Sequence, residues 1–176
     1  MDLNRVPPQN MDAERSVLGA LLHEAKTDKH IAEAIEVIGN DSQCFYNISH
    51  QYIYEAYLSL HESNMPIDLI TTMHKLESLG HLEQIGGLEY LQEILDSVPT
   101  PENIAYYANI VKDEYIRRKI ITIGTSMQEK AFEATEEIKE IIFQSEQEII
   151  NLQSYHAPKT ASIKNELQNI MELLHS

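Results

Sequence analysis

Apolar residues recur every three or four positions along almost the whole chain, and no run alternates with period two for long enough to form a half-buried strand. That regularity leaves one fold class, all-α. After the stiff Pro7-Pro8 start, Asn10 is placed to cap a helix carrying Met11, Val17, Leu18, Leu21 and Leu22. A second helix over Ile31, Ile35 and Ile38 is stopped by Gly39-Asn40, and Ser49 opens a third with Tyr52, Ile53, Ala56, Tyr57 and Leu60. Asp68 caps the next, which carries Leu69, Met73, Leu76 and Leu79 up to Gly80. Gly86-Gly87 then separates it from a short helix around Leu88, Leu91, Ile94 and Leu95. These elements form a compact head over residues 1–98.

The pattern changes beyond Val98-Pro99-Thr100-Pro101. Residues 99–154 read as a helical hairpin with long arms near 102–132 and 136–154 and a turn at Ala134-Thr135. In the second arm Ile138, Ile141, Ile142, Ile149 and Leu152 form a stripe. In the first, Ile116, Ile120, Ile121, Ile123 and Met127 span more of the circumference than one partner helix covers, which points to a second protein surface. Residues 155–161, with Pro158, read as a linker. A last helix over 162–176, capped by Ser162, lines up Ile163, Leu167, Ile170, Met171 and Leu174 on one face. A lone helix of that length is marginal in water, so the stripe must dock on something.

With 176 residues and 43% hydrophobic content the chain is globular rather than fibrous or disordered. Thirteen Lys and Arg stand against 28 Asp and Glu, a net charge of −15, the opposite of the footprint of a tight phosphate-backbone binder. Residues 1–98 hold 5 basic and 16 acidic side chains (net −11), and residues 99–176 hold 8 and 12 (net −4). The single cysteine, Cys44, excludes an internal disulfide and a cysteine zinc site. Neither a signal-peptide core nor an apolar span of membrane length occurs, so the expected home is the cytoplasm, away from any membrane.

Catalytic motifs are missing. His23-Glu24 and His61-Glu62 lack the second histidine of a zincin helix. The only Glu-x-x-His, Glu172 with His175, lies at the end of the chain. The eight histidines therefore read as scattered surface or partly buried residues, with no metal. Glycines at 19, 39, 80, 86, 87 and 124 supply no phosphate loop ending in Lys and Ser or Thr, and no G-x-S-x-G elbow exists. The one basic cluster, Arg117-Arg118-Lys119 with Lys112 upstream, fits a solvated helix face and is also where an anionic partner would be least repelled.

Several segments in order nevertheless resemble one family, the N-terminal collar domain of bacterial DnaB-type replicative DNA helicases. They are Arg5-Val6-Pro7-Pro8-Gln9-Asn10, then Asp12-Ala13-Glu14 and Ser16-Val17-Leu18-Gly19. Phe45-Tyr46 with His50 and Ile53, Ile67-Asp68 before Leu76, and Gly86-Gly87 with Tyr90-Leu91 follow. Asn103-Ile104, Tyr107-Ala108, Ile110-Val111 and the Arg117-Arg118 pair complete the set. The resemblance implies a head and hairpin in which hairpins pair between subunits, through Ile116, Ile120, Ile121, Ile123 and Met127 here, to build a hexameric ring as a trimer of dimers. It implies primase docking at Asp12, Tyr90, Ile121 and Met127, with Tyr90 either a rigid exposed contact or a cap on the head core. It also implies docking of the helix bearing Ile163, Leu167, Ile170, Met171 and Leu174 on a neighbouring subunit, and a helicase loader as a further partner.

The full-length family unwinds duplex DNA at the replication fork. ATP and magnesium belong to its motor domain, and single-stranded DNA is engaged only through the full ring. That motor is absent from these 176 residues, so no catalytic residue, cofactor or metal is expected in them. The expectation is a piece of a longer helicase that ends before the motor. The alternative is a stand-alone helicase-binding adaptor or inhibitor, of phage type or similar to the helical domain of a primase. A small metal or phosphate enzyme lacks every motif tested.

Overall fold

The computed structural model describes residues 5–23, 29–97 and 103–156, and every regular element among them is helical. In order these are α1 (Met11–His23), α2 (Lys29–Ile38), a 3₁₀ turn (Ser42–Cys44), α3 (Ile48–Glu62), α4 (Leu69–Ser78), α5 (Leu82–Ile85), α6 (Gly87–Asp96), α7 (Ile104–Glu133) and α8 (Ile138–His156). None of the described helices is long and apolar enough to cross a membrane.

Side-chain caps set where the helices start. The Ala13 amide donates to Asn10 Oδ1 at 2.9 Å, satisfying one of the orphan donors of α1. Asp68 and Thr71 form a reciprocal box: the Thr71 amide donates to Asp68 Oδ1 at 2.8 Å, and the Asp68 amide to Thr71 Oγ1 at 3.1 Å. α3 opens at Ile48 rather than at Ser49, because Asn47 is the cap, its Oδ1 accepting from the Ser49 amide at 2.8 Å. The short α5 and the 3₁₀ turn, which periodicity does not reveal, fill the connections. Gly86, between α5 and α6, has φ +102° and lies so close to Tyr90 that an added Cβ would sit 3.3 Å from the tyrosine Cβ. Conformation and space both ask for glycine there.

The chain divides into two compact units, Met1–Arg117 and Arg118–Ser176. In the first, one apolar core joins Val17, Leu18 and Leu21 of α1, Ile31 and Ile38 of α2, Ile53, Tyr54 and Tyr57 of α3, Leu76 of α4, and Leu91 and Ile94 of α6. Ile104, Ala108, Val111 and Tyr115 of α7 belong to it as well, and the Tyr115 hydroxyl donates to Asp41 Oδ2 at 2.9 Å. The head therefore continues past the change of pattern at 98/99, because the start of α7 supplies core side chains at helical spacing. The buried phenols also find acceptors: Tyr54 donates to the Gly39 carbonyl at 2.8 Å and Tyr57 to that of Leu18 at 3.2 Å. Burial pushes both pKa values well above the ordinary tyrosine range, with Cys44 adding to the effect at Tyr54.

The second unit contains the end of α7 and all of α8. Its turn forces Ala134 to φ +52°, with the Ala134 amide donating to the Lys130 carbonyl at 3.2 Å. Lys130 donates to Gln144 Oε1 and lies 4.0 Å from the Glu136 carboxylate, while Gln144 Nε2 donates to Glu140 at 2.8 Å. Among its described residues Ser145 is the one buried side chain. The α8 stripe is mostly in water: Ile138, Ile142 and Ile149 are exposed, and Ile141 and Leu152 are half-buried. A two-helix hairpin has one narrow seam, and these apolar residues outnumber the positions along it. α8 runs to His156, past the start of the expected linker at 155. The final helix, with Ile163, Leu167, Ile170, Met171 and Leu174, lies outside the described residues.

Candidate functional site

The head buries a carboxylate and an imidazole side by side. Glu14 projects from α1 into the core and His50 from the first turn of α3, their side chains 2% and 0% exposed, with Glu14 Oε2 2.6 Å from His50 Nδ1. The carboxylate also accepts from the backbone amides of Tyr46, at 2.6 Å, and Asn47, at 3.3 Å. A buried carboxylate is tolerable only when hydrogen bonds replace its lost hydration, and three donors do so here. On the other side of the ring, His50 Nε2 lies 2.7 Å from the Tyr90 hydroxyl, with the two rings within 11° of coplanar. Phe45 meets the imidazole edge-on at a centroid distance of 6.5 Å.

The Glu14 carboxylate accepts from His50 Nδ1, and Nε2 shares a hydrogen bond with the Tyr90 hydroxyl on the far side of the ring. The order of acid, imidazole and hydroxyl matches a nucleophilic triad. In this case the hydroxyl belongs to a half-buried phenol already bonded to the ring, and the chain ties α1, α3 and α6 together through the 45–47 segment.

This network corrects one sequence expectation. The histidines are not all scattered or partly exposed, since His50 is fully buried and bonded at both nitrogens. A signal was present. Glu14 falls on the apolar stripe of Ala13, Val17, Leu18 and Leu21, and His50 on that of Ile53, Tyr54 and Tyr57, positions where a polar side chain must have a partner. Two further histidines have partners: His23 Nε2 lies 2.9 Å from the Leu95 carbonyl, and His81 stacks on Tyr52 with centroids 3.8 Å apart. Among the described residues no group of three His, Cys, Asp or Glu could hold a metal ion. Cys44 is buried, its thiol 3.5 Å from the Ile38 carbonyl.

The expected interaction residues fall in both units. Asp12 is exposed on α1, and Tyr90 is half-buried on α6 with its hydroxyl tied to His50. Ile116, half-buried, belongs to the first unit. In the second, Ile120, Ile121 and Met127 are exposed and Ile123 is half-buried. Phe132, Phe143 and Ile150, which the sequence reading did not single out, are exposed there as well. In the basic cluster Arg117 pairs with Glu114 at 3.9 Å.

Comparison with known proteins gives a consistent set of similarities. The DnaB-like helicase N-terminal domain family matches residues 6–113. The replicative DNA helicase DnaC of Bacillus subtilis (strain 168) is 37% identical over 149 residues, covering 85% of this chain and 32% of that protein. The replicative DNA helicase DnaB of Geobacillus stearothermophilus is 32% identical over 176 residues, covering 98% and 38%. The chain thus spans about a third of the length of these relatives. Among solved structures, the N-terminal domain of the DnaB helicase from Mycobacterium tuberculosis superposes with a TM-score of 0.76 at 32% identity, covering 83% of this chain and 99% of that one. A DnaB-like replicative helicase described with its interactions with primase shares the fold, with a TM-score of 0.64 at 23% identity over 83% of this chain and 31% of that one.

Proposed function

The chain belongs to the DnaB-like helicase N-terminal domain family, and on that premise we propose that it works as the collar of a hexameric replicative DNA helicase in the cytoplasm. Its own task is assembly. The observation that carries this reading is the second unit, where Ile120, Ile121, Met127, Phe132, Ile138, Ile142 and Phe143 are exposed while the head has a closed core. Apolar surface of that density marks a protein interface. The hairpins pair between copies through Ile116, Ile120, Ile121, Ile123 and Met127, and a two-fold contact of this kind is self-complementary. ATP, magnesium and single-stranded DNA are engaged by a motor domain beyond these residues.

Primase docks on the collar at Asp12, Tyr90, Ile121 and Met127, in keeping with the primase-interacting helicase that shares this fold. A helicase loader is a further partner, and the helix bearing Ile163, Leu167, Ile170, Met171 and Leu174 docks on a neighbouring subunit. Sedimentation of Ile120→Glu/Ile121→Glu against the unmodified chain tests the pairing. Loss of self-association with an unchanged head melt supports it, and unchanged sedimentation of both proteins as multimers would move the interface elsewhere.

A further inference from the structure

We infer that His50 is a positioning residue for the docking face: held by Glu14, it fixes the Tyr90 ring before a partner arrives, on a head whose net charge calls for a basic partner surface. The inference rests on the reading of Tyr90 as a primase contact and adds how that contact is set and what chemistry it selects. Tyr90 is half-buried on α6, and a free phenol in such a place would swing about two side-chain torsions. It is tethered instead. Its hydroxyl is 2.7 Å from Nε2 of a fully buried imidazole, whose Nδ1 is 2.6 Å from a buried carboxylate, itself held by the Tyr46 and Asn47 amides. Gly86 leaves the space beside the Tyr90 Cβ that a side chain would crowd. The ring is thus ordered before any partner arrives, which lowers the entropy lost on docking.

Residues 1–98 carry a net charge of −11, and Asp12 is exposed on the same helix as Glu14. A matching partner surface is basic, with Arg or Lys around an apolar patch for the ring.

The test is a double-mutant cycle on the full chain, with the C-terminal domain of the cognate primase as the probe. Tyr90→Phe and His50→Gln should each weaken binding about fivefold, roughly the worth of one hydrogen bond, with the head still melting cooperatively. Because His50 acts only through the hydroxyl, the double variant should bind no more weakly than either single one. Should His50→Gln bind as well as the unmodified chain while Tyr90→Phe does not, the hydroxyl contacts primase directly and the positioning role is overturned. Should Tyr90→Ala bind normally, the docking reading itself falls. If His50→Gln fails to fold, NMR of the unmodified chain decides: a slowly exchanging Tyr90 hydroxyl proton close to the His50 ring supports the tether, and a rapidly flipping ring with no such proton overturns it.

Discussion

In the first unit a glutamate and a histidine lie in the core with hydrogen-bond partners, and Leu18 of α1, Ile53, Tyr54 and Tyr57 of α3, and Leu91 and Ile94 of α6 are out of water. In the second, Phe132 is 81% exposed and Ile138 75%, and among the described residues the one buried side chain is a serine. The same chain therefore handles apolar surface in two ways. The head closes its core from several directions, whereas a pair of helices cannot, so the hairpin stays incomplete until another surface covers it. Stability in the head should come from within one copy, and in the hairpin from association.

The sharpest way to break this contrast is Glu14→Ala. It strands the Tyr46 and Asn47 amides and His50 Nδ1 without their acceptor, and each buried donor left unsatisfied costs about 1–3 kcal/mol. Urea unfolding of the head should show that loss. Next come matched truncations read in a dilute, monomeric sample. Leu18→Ala in the head core should cost about 2–5 kcal/mol, and Ile142→Ala on α8 less than about 0.5 kcal/mol. Equal costs would mean that the hairpin buries its stripe within one copy.

Alkaline pH probes the head through its two buried phenols. Tyr54 and Tyr57 have raised pKa values when folded, so above the ordinary tyrosine value, near 10, the unfolded chain gives up protons that the folded head retains. Their contribution is present in full below that value and is lost as pH rises towards the folded pKa values, by at most about 1.4 kcal/mol per pH unit for each phenol. Thermal melts from pH 9 to 11 should fall for the head, and a flat profile would contradict the burial of both phenols. The smallest effect belongs to the hairpin turn. Ala134 holds φ +52°, and Ala134→Gly should stabilise the turn by about 0.5–1 kcal/mol, measurable as increased amide protection around Lys130.

Local chemistry was legible in the sequence and non-local chemistry was not. Asn10 and Asp68 cap as read, and Gly39, Gly80 and Gly86 adopt positive φ where helices stop, because caps and stops depend on neighbours within a few residues. Periodicity gave the helices, but α5 is a single turn, too short for a period to register. The Glu14, His50 and Tyr90 chain joins residues 36 and 40 positions apart. Each polar side chain on an apolar stripe announced that it needed a partner, and only the packing of three helices could say which. The head boundary near Arg117 was hidden for a similar reason. α7 is one uninterrupted helix, and its passage from core to exposed surface changes its neighbours rather than its period.

Hydrogen exchange of the full chain at two concentrations, one dilute and one high, tests the division most directly. The account expects amides of α1, α3 and α6 to be equally protected at both, and amides of α8 and of α7 beyond Arg117 to gain protection as concentration rises. Hairpin amides as protected in the dilute sample as those of the head, with no dependence on concentration, would contradict it.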